Sequence, residues 1–162
     1  RRAAREIDHV LVLPTVDLPL SDPIHIDSAG NRTLARRAAD LALGEVFGQD
    51  RPGRFPDART ARRTGKTSIT VTFDHIQEAL FYGVDDPGRL PFAVRDKEGP
   101  IPLTGWSLPA ADAIELILAR AAGPGATVTG LPGALPPADQ PPFDVDGNRP
   151  MLGFTLDVSG SA

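Results

Sequence analysis

The sequence predicts an α/β segment followed by a small β-rich, β-sandwich-like domain, and three observations carry that prediction. A short apolar run, Val10-Leu11-Val12-Leu13, is closed by Pro14, and a segment of helical period follows it after an irregular loop. Past residue 65 the hydrophobic period changes to two. The 162 residues include 17 prolines and 16 glycines, too many for a mostly helical chain. The expected organisation is an α/β part over 1–48, a linker over 49–65 and a β-rich accessory domain over 66–162.

Taken in order, Arg1-Arg2-Ala3-Ala4-Arg5-Glu6-Ile7 reads like the last turns of a helix. Val10 to Leu13 has the unbroken apolar character of a strand buried in a parallel sheet. Asp17, Pro19, Asp22 and Pro23 then mark an irregular loop. Ser28 is a candidate N-cap for the clearest helix in the chain. Leu34, Ala38, Leu41, Ala42 and Phe47 share one side of it, with Arg36, Arg37, Asp40 and Glu45 facing elsewhere and Gly48 as a stop. Residues 49–65, through Arg51-Pro52-Gly53, are charged, punctuated by Pro and Gly, and without periodicity.

In the second half, Ser68 to Phe73 alternates as a half-buried strand does. Phe92 to Arg95 enters a hairpin turn at Asp96-Lys97-Glu98-Gly99. Ala126 to Thr129 and Met151 to Leu156 complete the strand candidates. Residues 110–122 can be read two ways. Ile114, Leu118 and Ala121 fall at helical spacing among good helix formers, whereas the β context favours a strand, which is the reading adopted.

Composition narrows the function classes. With no cysteine there is no disulfide framework and no thiol catalysis. No run is long enough to span a membrane, and the start is not a signal peptide. Net charge is -4. The first 65 residues are arginine-rich, but acids are interleaved, so a solvated helical face explains them better than a nucleic-acid surface.

The run Val10 to Leu13, the following Pro14-Thr15-Val16-Asp17-Leu18, the motif Asp22-Pro23-Ile24-His25, and the downstream Gly30-Asn31-Arg32 with Leu34, Arg37 and Ala38 resemble one family. They are similar to the carboxyl-terminal part of SGNH hydrolases, specifically the sialate O-acetylesterase-like and acetylxylan-esterase-like carbohydrate esterases. The resemblance covers roughly the first 50 residues, and 66–156 resemble diffusely the β-domain that follows in some of these enzymes. It implies the closing strand and helix of a flavodoxin-like sandwich, and a serine-dependent O-acetylesterase acting on acetylated sugars. Asp22 and His25 would then supply two members of a Ser-His-Asp triad, with no cofactor. The serine would come from far upstream. No Gly-x-Ser-x-Gly elbow is present here, and Ser21, Ser28, Ser68 and Ser107 stand in the wrong contexts. Substrates of such enzymes often lie outside the cytoplasm, which implies a periplasmic or secreted protein.

The spacing makes chemical sense independently. Ester hydrolysis needs a base that later returns its proton to the leaving alcohol, and histidine suits both steps. A carboxylate must fix its tautomer. Asp22 stands three residues before His25 in a proline-constrained loop, with Asp17 and Asp27 as local rivals.

Other candidates have plainer readings. His9 and His75 read as structural or solvated, and three dispersed histidines do not suggest a metal site. Trp106 could stack on a sugar, but packing in the core or at a hinge is favoured. Asp144-Val145-Asp146-Gly147-Asn148 has the look of a calcium loop yet lacks the later Glu, so a turn is the simpler reading. The main rival function is a non-catalytic carbohydrate-binding or structural module, which an exposed aromatic strip on the sandwich would favour. One strand and one helix cannot close a parallel-sheet domain. The chain is therefore expected to belong with a missing amino-terminal part of the same enzyme, covalently or as a second polypeptide.

Overall fold

The computed structural model describes residues 3–51, 53–83, 85–133, 141–146 and 149–160. The chain divides into two compact units, 1–55 and 56–162. Among the described residues the fold is mainly β, with two α-helices, both in the first unit. It is a mixed segment followed by a β-rich one, and not specifically an SGNH sandwich.

In the first unit, α1 is a single turn, Ala3–Glu6, where the helix end was expected. Helix α2 spans Ser28–Glu45. Its N-cap is Asp27 rather than Ser28: the Asp27 carboxylate accepts the Gly30 amide at 2.7 Å. Past its C-cap Val46, Gly48 adopts a positive φ of 64°, in keeping with the expected stop.

Two expectations are corrected here. Val10 to Leu13 does not form a strand. An apolar run specifies burial but not a partner, and among the described residues none pairs with it. The packed face of α2 also differs, because Gly30, Arg37 and Leu41 are buried while Ala38 and Phe47 are exposed. Arg37 turns inward because a carboxylate, Asp17, meets it there.

The second unit contains eleven strands among its described residues. These are β1 Asp57–Gly65, β2 Ser68–Asp74, β3 Leu80–Phe81, β4 Phe92–Asp96, β5 Gly99–Ile101 and β6 Leu103–Ala110. They continue with β7 Ala113–Leu118, β8 Thr127–Gly130, β9 Phe143–Asp144, β10 Arg149–Pro150 and β11 Phe154–Ser159. Eight form one sheet in the order β5-β4-β8-β11-β1-β2-β7-β6, and β10-β9-β3 form a small second sheet. The expected strands at 68–73, 92–95 and 126–129 are present, and that at 151–156 starts later, at Phe154. The ambiguous segment yields strand β7, whose Ile114, Leu116 and Leu118 alternate into the core between β2 and β6.

The expected linker is corrected over 57–65, which is strand β1. Its inward residues are only alanines, Ala58 and Ala61, and a register shift between Ala58 and Thr60 sets them three apart. Neither composition nor a period of two could reveal it.

The two edges of the large sheet, β5 and β6, are separated in sequence by one residue, Pro102. The sheet therefore curls until its edges meet at that corner. One apolar cluster fills the concave side, with Ile69, Ile114, Leu116, Val94 and Val128 almost fully excluded from water. Phe154 sits edge-on to Phe73 and tilted against Phe92, at 6.0 and 6.1 Å between ring centroids. Trp106, opposite buried Leu116, packs against this core and meets Tyr82 edge-on at 5.1 Å.

The other sheet face is hydroxyl-rich. The Thr60 and Thr72 hydroxyls are 2.7 Å apart, and Glu115 accepts from Ser107 and Thr64. Asp144, fully buried, is ion-paired to Arg149 and accepts the Gln77 and Glu78 amides at 2.7 and 3.2 Å. That carboxylate is committed to structure, as the turn reading of 144–148 expects; Gly147 and Asn148 lie outside the described residues.

Candidate active site

The only chemistry-bearing pair singled out from the sequence lies at the tip of a small loop. Leu20 and Ile26 form an antiparallel bridge. The Ser21 amide donates to the His25 carbonyl at 2.9 Å, and the Asp27 amide donates to the Pro19 carbonyl at 3.0 Å. Residues 22–25 are the turn of this ribbon. The Ile24 and His25 amides both donate to Asp22 Oδ1 at 2.9 Å, an Asx-type turn that an aspartate before proline readily makes.

This turn leaves Asp22 Oδ2 free to reach His25 Nδ1, at 2.6 Å. The Ile24 amide, the His25 ring and the His25 amide, in that order, hold the Asp22 carboxyl below the usual carboxylate range. An ionised carboxylate can only accept, so His25 Nδ1 must carry the proton in this bond. In its neutral form such a ring presents a bare Nε2 lone pair, the arrangement a general base requires. The His25 side chain is 68% exposed and that of Asp22 46%.

The two rival aspartates are occupied elsewhere. Asp17 forms a bidentate pair with Arg37, at 2.8 and 2.6 Å, and the same guanidinium donates to the Pro14 carbonyl at 3.1 Å. The Arg37 guanidinium also lies over the Phe55 ring, 5.9 Å from its centroid. Asp27 caps α2. Of the three aspartates, only Asp22 is on the histidine.

The remaining histidines do not join this pair. His9 lines a separate cavity of about 360 Å³, bounded by residues 4–11 with Glu45, Val46 and Arg54. His75 belongs to the second unit, where its carbonyl accepts from Arg149. Both adopt positive φ, near 63° and 64°. No cluster of metal-ligating side chains occurs among the described residues. No helix there is long and apolar enough to cross a membrane.

The sequence marked Gly30 and Asn31 as part of the resemblance but did not show that they seat the turn. Gly30 lies under it, and Asn31 Nδ2 donates to the Ile26 carbonyl at 3.2 Å. The one available signal was a glycine inside a helical pattern, which costs stability unless something approaches closely.

A fold of this kind, a helix-and-loop segment followed by a β-rich one, is shared with part of a larger esterase. The chain is similar to a crystal structure of a carbohydrate acetylesterase from Xanthomonas citri, with a TM-score of 0.66 at 17% identity. The match covers 87% of this chain but 31% of that one. Two structures of the S-layer protein SbsC match at TM-scores of 0.51 and 0.50, both at 14% identity, covering 84% of this chain and 17% of theirs. At these identities the likeness is one of fold. No family model and no curated protein matches the sequence.

Proposed function

We propose that this chain is the part of a serine-dependent carbohydrate O-acetylesterase, of the SGNH type, that carries the catalytic histidine and its orienting aspartate. The observation that carries this reading is the 2.6 Å contact between Asp22 Oδ2 and His25 Nδ1 on a turn that leaves the ring open. The fold likeness to a carbohydrate acetylesterase supports it. His25 Nε2 takes the proton of a serine hydroxyl as the oxygen attacks the acetyl carbonyl. Asp22 stabilises the imidazolium that forms. The same proton then goes to the departing sugar oxygen, leaving an acetyl-serine that water cleaves by the reverse sequence. The serine and the oxyanion donors belong to residues beyond these 162, on the same polypeptide or a second one. Export to the periplasm or medium fits such a substrate.

The test uses the complete enzyme and an acetylated sugar. His25→Ala is expected to lower turnover by roughly 10⁴-fold or more, and Asp22→Asn by about 10⁴-fold. Wild-type turnover in His25→Ala would overturn the assignment. Native and denaturing mass measurements on active material should reveal a longer chain or a second polypeptide. A stable monomer of this chain without hydrolysis would instead support a carbohydrate-binding or structural module.

A further inference from the structure

We propose that Gly30 and Asn31 are positioning residues for the Asp22–His25 pair, acting through the base of the turn. The inference rests on the esterase reading and names what would make that pair a fixed one. Asp22 and His25 are too exposed for surrounding side chains to hold them. Their geometry must come from the ribbon beneath, and that ribbon is pressed onto the first turn of α2.

Gly30 is where they meet. A Cβ added there would stand 2.4 Å from Ile26 Cγ2, 2.9 Å from the Pro19 carbonyl oxygen and 3.4 Å from Leu18 Cβ. The Pro19 oxygen is backbone and already accepts the Asp27 amide, so it cannot withdraw without opening the ribbon. Gly30 is not at a positive φ, so no unusual backbone conformation calls for glycine. It lies within a helix, where glycine is the poorest choice after proline. Close approach is the remaining physical reason.

Asn31 holds the same ribbon residue from its other end, through the bond from Nδ2 to the Ile26 carbonyl. Ile26 directly follows His25 in the chain, so displacing it moves the imidazole. A hydrogen bond of 2.6 Å weakens once its partners part by several tenths of an ångström or lose alignment.

The experiment records the ring nitrogens of His25 in the full chain, uniformly ¹⁵N-labelled, at a pH where the imidazole is neutral. The wild type should show one protonated nitrogen, Nδ1, and one bare nitrogen, Nε2. Asp22→Asn should bring the two resonances together towards an averaged value. Gly30→Ala is expected to do the same while the amide spectrum of β2 and β7 stays unchanged, and Asn31→Ala to do so to a smaller extent. A fixed Nδ1–H tautomer in folded Gly30→Ala would overturn the proposal but leave the Asp22–His25 pair standing. If Gly30→Ala does not fold, Asn31→Ala decides: convergence supports the proposal and unchanged resonances overturn it. Averaged resonances in the wild type itself would defeat the pair, and with it the esterase reading.

Discussion

Among the described residues of the first unit the side chains withdrawn from water are Pro14, Leu18, Leu41 and Phe55 together with a charged one, Arg37. In the second, a continuous apolar cluster runs from Ala58 to Phe154 across the curled sheet and the loops that cover it. Both units bury an ion pair, Asp17–Arg37 in the first and Asp144–Arg149 in the second, but only in the second does it stand beside a large apolar cluster. Packing spreads stabilisation over many modest contributions, each replaceable at moderate cost. A buried ion pair concentrates it, because either partner left alone is a desolvated charge.

Removing the Arg37 charge should have the largest effect. Arg37→Ala leaves the Asp17 carboxylate and the Pro14 carbonyl without their donor and should cost the first unit about 3–5 kcal/mol. Amide exchange should accelerate over residues 14–20 while β2 and β7 keep their protection. Equal acceleration in both units would contradict it. Next in size, Ile114→Ala opens a void at a fully buried position of the second unit and should cost about 2–5 kcal/mol. Denaturant unfolding followed through Trp106, the single tryptophan, should show it.

Smaller effects sharpen the contrast further. Asp27→Ala removes the cap of α2 and should cost about 1 kcal/mol, seen as lost helical signal and fraying over residues 28–31. The mildest test is acid. Asp96 is held well below the usual carboxylate range, first by the Arg120 guanidinium, with bonds of 2.6 and 2.8 Å, and then by the Gly123 amide. Its folded pKa is depressed, so the folded state binds fewer protons than the unfolded chain in that range. The contribution is complete above the unfolded value of about 4 and is lost as pH falls below it towards the folded value. Asp96→Asn should flatten the dependence of second-unit stability on pH below about 4.

What the sequence could reveal follows the same division. Strands such as β2 and β4 were legible because their inward residues are large and apolar, so a period of two stands out. Strand β1 was not, since Ala58 and Ala61 are small, three apart and set among arginines. Arginine at position 37 reads as solvent-facing until its partner Asp17, twenty residues earlier, is placed beside it. Val10 to Leu13 shows the opposite failure, an apolar run without a neighbour to complete its ladder. The Asp22–His25 pair was legible because its geometry is local, a turn of four residues. The role of Gly30 and Asn31 at the turn was not, since it depends on a ribbon folding back over the helix.

The parallel pairing of β1 with β11, Ala61 beside Val158, sets an order of events for a chain leaving the ribosome. The Ser159 hydroxyl reaches the Ala61 carbonyl across 98 residues of sequence. Hairpins β1–β2, β4–β5 and β6–β7 can form as each is synthesised, from neighbouring residues alone. Strand β8 can join β4, but until β11 emerges β8 and β1 each present an open row of amides and carbonyls. For that interval the nascent domain is two part-sheets, linked through Pro102, with exposed edges, the species most prone to pair with another chain. Arrival of the last strand removes both edges in one step.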